Sequence, residues 1–284
     1  MTDENDLFSP GYPIELLAQT PFAPDREALC AALGQRLGRV SVLEDGGADQ
    51  TFVFQLHDFP VELDDATVSA QLAMVNNSIP VEPLKYADAL EQSWDVDDPR
   101  SLLSACRHFM TMVNLMSSSL PQAVRRRIVA GGLLALLECV EADLIYWTPS
   151  GQLIDPGTFT ARMAEPGQVA NPTYGFLNVR FFNIADGDGE MVMDTLGAGA
   201  LGLTDLQIHF RDLKPPDVAG LLYSVAAYLL EHGDVIDNGH TVQGLQPDDR
   251  WECLHEMSLL EPQRIVLDID PGPDFSARGG TDRS

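Results

Sequence analysis

Lysine is almost missing from this chain: Lys85 and Lys214 are the only two among 284 residues, and 17 basic side chains face 43 acidic ones for a formal net charge of −26. Phosphate recognition needs clustered cations, so composition argues against a direct nucleic-acid partner. The acidic excess is spread along the chain rather than gathered in a tail. Such a field repels anionic ligands and membrane surfaces, keeps the surface solvated, and favours a basic protein as partner.

Other absences narrow the function further. The four cysteines, Cys30, Cys106, Cys139 and Cys253, form no C-x-x-C pair, and their wide separation reads as reduced thiols in a cytosol. No apolar run approaches the roughly 20 residues that cross a bilayer. The opening "MTDENDLFSP" is acidic and has no apolar centre, which is not the pattern of a secretory signal. A cytoplasmic location is the expectation. A nucleophile elbow G-x-S-x-G, a phosphate-binding G-x-x-x-x-G-K-[ST] loop and H-E-x-x-H are all missing. No catalytic residue, metal or cofactor is assigned on this basis.

What is present is enough apolar sequence, 45% of residues, to bury one large core or two modest ones. Residues 1–10 and 272–284 are polar and rich in chain breakers and are expected to be disordered. "YPIELLA" reads as a strand, and Asp25 caps a helix with Leu29, Ala32, Leu33 and Leu37 on its apolar face. Three alternating strands follow, then a helix over 83–94, the strand-like "CRHFMTMVNLM" and a long helix opened by Pro121. "ADLIYWTPSGQLI" is a strand and turn before a short helix begun by Asp155 and Pro156. "AEPGQVANPTYG" is the best linker, placing an N-terminal domain at 11–165 and a C-terminal one at 166–271.

In the second half, "FLNVRFFNI" and "EMVMDTL" flank the hairpin signal "ADGDG". A second long helix starts at Pro215 and Pro216 and stops at Gly233. "WECLHEMSLL" and "PQRIVLDID" are strands. The expected fold is α+β: two α/β halves with mixed or mainly antiparallel sheets, each packed against a long helix.

Gly197, Gly199 and Gly202 spell G-x-G-x-x-G after an apolar run. A dinucleotide loop must enter a helix whose N-terminus holds the pyrophosphate. Here Leu206, Ile208 and Phe210 alternate with Asp205, Gln207 and His209, which is strand periodicity. The glycines therefore read as a turn between two strands.

The same alternation presents Asp205, Gln207 and His209 together, and the loop "HGDVIDNGHTVQG" adds Asp234, Asp237 and His240. Carboxylates near histidines supply acid–base chemistry. Cys253, His255, His240 and His209 form a weaker metal constellation, with none of the standard zinc spacings. Buried, hydrogen-bonded polar residues are the simpler reading of that group.

"MVMDTLGAGALGLTDLQIHFR", "GDVIDNGHTVQG", "WECLHE" and "RIVLDIDPG" resemble the bacterial domain of unknown function 4261 family. Weaker similarity in "YPIELL", "DREALCAALGQRLG", "DFPVEL" and "CRHFMTMVNLMSSSLPQAVR" extends the resemblance over about residues 12–273, the long form with an N-terminal extension. The family pattern often has proline at the position of Thr204 and a larger residue at Gly199. The resemblance carries over no catalytic residue. It implies a cytosolic bacterial protein associated with contact-dependent toxin systems, including type VI secretion.

Two functions follow as expectations. The first is a non-enzymatic acidic protein, either an immunity protein that neutralises a cognate basic toxin or effector, or a secretion-associated adaptor. Asp205, Gln207, His209, Asp234, Asp237 and His240 are its candidate contacts. The alternative is a small-molecule hydrolase using His209, His240 and nearby aspartates.

Overall fold

A computed structural model describes residues 11–43, 51–164, 173–185, 187 and 189–277. Residues 1–10, residues 165–172 of the proposed linker at 164–175, and Asp186 and Asp188 of the hairpin signal lie outside them. The chain divides into two compact units, one ending at Asn171 and the other running from Pro172 to the C-terminus.

The N-terminal unit contains strands β1 (Tyr12–Ala18), β2 (Val40–Val42), β3 (Thr51–Leu63), β4 (Ala66–Asn76), β5 (His108–Leu115), β6 (Leu144–Trp147) and β7 (Gln152–Ile154). They form a seven-stranded sheet in the order β2-β3-β4-β5-β1-β6-β7. Every neighbouring pair is antiparallel. Strand β1 is inserted between β5 and β6, a placement that alternation alone does not specify.

Helix α1 (Arg26–Leu37) begins where Asp25 accepts the Ala28 N–H at 2.7 Å. Helix α2 (Ala87–Glu91) follows a 3₁₀ turn at Pro83–Tyr86, so the expected helix over 83–94 is shorter and tighter. Helix α3 (Pro99–Ala105) was not anticipated; Asp98 caps it from a left-handed conformation, with φ of 47°. Helix α4 (Gln122–Cys139) packs on α1. An added Cβ at Gly131 would meet Leu37 Cδ2 at 2.7 Å, and one at Gly132 would meet Leu72 Cδ1 at 2.6 Å. The adjacent glycines thus serve two contacts, helix to helix and helix to sheet. Helix α5 (Pro156–Ala164) starts where Asp155 accepts the Thr158 N–H at 2.6 Å.

The C-terminal unit has strands β8 (Asn178–Asn183), β9 (Met191–Leu196), β10 (Asp205–Phe210), β11 (Thr241–Val242), β12 (Trp251–Met257) and β13 (Ile265–Asp270), with helix α6 (Pro215–His232). The sheet order is β11-β12-β13-β10-β9-β8. Only the β10–β13 contact among these strand pairs is parallel. The α+β architecture with mainly antiparallel sheets and a long helix on each is therefore observed. Helix α6 buries Val218, Leu222, Val225, Ala226, Leu229 and Leu230, and packs against β8, β9 and β10.

The expectation of a disordered tail from residue 272 is corrected for its first six residues. Arg211 donates its backbone N–H to Phe275 O at 2.8 Å, its guanidinium bonds Ser276 O, and Ala277 is buried. These contacts fasten the segment beyond β13 to the end of β10.

Candidate functional site

The glycine motif does form a strand, a turn and a strand. Gly197 has φ of 123° and Gly202 has φ of 79°, bracketing a 3₁₀ turn at Ala198–Leu201 that returns the chain into β10. Side chains rarely adopt such positive φ values, so glycine is required at both ends. The Ala198 N–H, which a phosphate loop would offer to its ligand, donates instead to Asp205 Oδ1 at 3.0 Å. The turn binds its own carboxylate.

That carboxylate belongs to a buried network. Arg264 donates from Nε to Asp205 Oδ2 at 3.0 Å and from Nη2 to Asp194 Oδ2 at 2.9 Å. Arg180 engages the same Asp194 through Nε at 2.9 Å and Nη2 at 2.5 Å. Thr195 Oγ1 donates to Asp205 and accepts the Leu206 N–H. Two cations and two anions thus neutralise one another inside a strongly acidic protein, with hydrogen bonds occupying much of their remaining capacity.

The sheet register explains how these groups meet. Arg180, Asp194, Gln207 and Asp268 are direct partners across β8, β9, β10 and β13, and so share one face. Gln207 donates to Asp268 Oδ1 at 2.9 Å and accepts the Leu259 N–H at 2.8 Å. The two arginines also bond Glu261 O and Pro262 O. The β12–β13 connection is consequently strapped over this polar face.

These contacts correct the expectation that Asp205 and Gln207 form an outward docking surface. Asp205 is 2% exposed and Gln207 is fully buried. Alternation identified the strand, but both of its faces are covered. Burial pushes the Asp205 carboxyl above its ordinary value, a shift opposed by the Arg264 charge and the Ala198 amide. Burial disfavours the Arg264 charge, yet Asp205 and Asp194 hold it above its usual value. His209 is mostly covered and lies 3.4 Å from Glu190.

The remaining candidates have a different setting. Asp234, Asp237 and His240 are exposed in the connection after α6. Thr204 Oγ1, at the entrance to β10, donates to Asp234 Oδ2, and His240 Nδ1 accepts the Asp237 N–H at 3.1 Å. Backbone bonds between Gly239 and Cys253, and between Cys253 and His240, hold the loop against β12. His255 bonds Asn238 Oδ1 through both its backbone N–H and Nδ1. The cysteine between these histidines is buried, and burial raises its thiol to about 11. Among the described residues, no group of three or more His, Cys, Asp or Glu is arranged to hold a metal ion.

This loop and α6 enclose an open groove of about 880 Å³. Leu221, Val225 and Tyr228 form one wall; Val235, Ile236 and Val242 contribute to the other. Tyr228 and Val235 remain 47% and 46% exposed. Gly244, also in the lining, lies so close to Trp251 that an added Cβ would be 2.4 Å from Cε2. Apolar groove residues were missed at sequence level because the helix face and the loop meet only in three dimensions.

Residues 194–270 match the family model described as "Domain of unknown function (DUF4261)". This span is shorter than the resemblance over 12–273 and leaves the N-terminal unit outside it. It begins at Asp194 and contains Asp205, Arg264 and Asp268, so most of the buried polar network and the groove loop lie within the matched segment, with Arg180 upstream. No curated protein and no solved structure matches the chain. Among the described residues, no helix is long and apolar enough to cross a membrane.

Proposed function

We propose that this chain, whose C-terminal unit carries the DUF4261 match, is an acidic binding protein that neutralises a basic toxin or effector. The immunity role is preferred to that of a secretion-associated adaptor because steric and electrostatic blockade requires only a rigid acidic surface. The supporting observation is the exposed pair Asp234 and Asp237, held in a bonded loop beside an open groove. Complementary charge would accelerate encounter, and the surrounding surface would exclude substrate from the toxin.

A small-molecule hydrolase is the second reading. Its candidate histidines have separate local partners: His209 lies by Glu190, whereas His240 bonds the Asp237 backbone. The test of the preferred function is co-expression with toxins encoded beside the gene. Rescue of growth together with formation of a stable complex supports neutralisation; loss of viability and absence of a complex with every such toxin refute it.

A further inference from the structure

The groove beside α6 has a lining without Asp, Glu, Lys or Arg, and the loop that forms one side of it is acidic in sequence, with Asp234 and Asp237 exposed next to the lining residues Val235 and Ile236. Tyr228 stacks on His232 with ring centroids 4.3 Å apart, so one exposed aromatic surface is already oriented. Val235 lies between the exposed carboxylates Asp234 and Asp237 in the facing loop. Residues 231–249 carry five carboxylates, Glu231, Asp234, Asp237, Asp248 and Asp249, and contain no lysine or arginine. An isolated apolar ligand would leave this charge without a counterpart, while a purely cationic one would leave Tyr228 and Val235 solvated.

We propose that this groove recognises a polypeptide segment bearing a bulky apolar side chain flanked by lysine or arginine. The apolar group packs between Tyr228 and Val235, and the cations approach Asp234 and Asp237. The inference rests on the binding-protein reading and specifies the chemistry its partner offers. Pre-orientation of Tyr228 by His232 limits the ordering required on binding. Gly244 supports the recognition surface by allowing the loop to lie against Trp251.

A display library of random 12-residue peptides, selected against the full chain at physiological salt, tests this chemistry directly. Enriched peptides are expected to place Leu, Phe or Trp beside Lys or Arg. A synthetic enriched peptide should bind at least tenfold more weakly to Asp234→Asn/Asp237→Asn and to Tyr228→Ser/Val235→Ser, but within twofold of normal to Asp64→Asn/Asp65→Asn. Asp64 and Asp65 provide an exposed acidic control in the N-terminal unit. Circular dichroism checks folding, and the asparagine pair decides the result if the serine pair unfolds. Failure to enrich peptides, enrichment without cations, or unchanged affinity in the groove variants overturns the proposal. Equal weakening in the control shows general charge attraction and also overturns it. A toxin complex insensitive to the groove variants removes this site while retaining the binding function; peptides that obey the rule without any toxin complex retain the site and remove the immunity role.

Discussion

Arg264 reaches Asp205 across 59 residues of sequence, with Nε 3.0 Å from Oδ2. The contact joins the start of β10 to the β12–β13 connection, while the same guanidinium bonds Asp194 and the Thr195 carbonyl. It converts the most recognisable segment of the chain into an internal support. Arg264→Met should therefore lower unfolding free energy by about 3–5 kcal/mol, because it leaves the buried Asp205 carboxylate without its cation and Asp194 with Arg180 alone. Urea denaturation followed by circular dichroism measures the loss.

Asp205→Asn should be milder than Arg264→Met. The amide retains an oxygen for the Ala198 N–H, and burial already opposes the Asp205 charge. A raised folded pKa makes this acid's contribution most favourable below its unfolded pKa and lost as pH rises through the folded value. The stability difference between wild type and Asp205→Asn should consequently shift in favour of the asparagine chain over that pH rise. Urea midpoints across a pH series provide the comparison.

The expectation for the second half was right about strands and wrong about which polar residues face water. Alternation in "DLQIHF" follows from the two-residue strand period. It does not say whether a second layer covers the polar side. Arg180 and Arg264 were available as a clue, since aspartate-rich strands in a chain poor in cations need partners if buried. Only the register and the β12–β13 connection bring those partners together. Helix α3 was signalled by Asp98-Pro99 but is short, whereas the β1 insertion and the parallel β10–β13 contact depend on tertiary topology.

Two glycines should respond oppositely to alanine. Gly132→Ala should destabilise by about 1–3 kcal/mol because its Cβ would meet Leu72 Cδ1 at 2.6 Å and force repacking. At Gly220, inside α6, nothing lies within 4 Å of an added Cβ. Gly220→Ala should stabilise by about 0.5–1 kcal/mol through helix propensity and reduced unfolded-chain entropy. Parallel thermal and urea melts distinguish the two effects.

Cys106 and Cys253 are buried, and burial raises both thiols to about 11. They should react with a disulfide reagent at pH 8 far more slowly in the native chain than after denaturation, since the thiolate is the reactive form. Their ordinary value is 9.0, so their contribution to stability is present below pH 9 and declines as pH rises toward 11. Timed thiol counting and alkaline melts measure these two consequences.

The central division is between an interior ion network that supports the fold and an exposed loop proposed as the binding surface. The direct measurement is the affinity of Asp234→Asn/Asp237→Asn for the toxin recovered by co-expression, with thermal melting on the same samples. Binding should weaken at least tenfold, chiefly through the association rate, with the melting temperature changed by less than about 2 °C, as expected for surface substitutions. Full affinity in this variant would contradict the assignment of the α6-following loop as the binding surface.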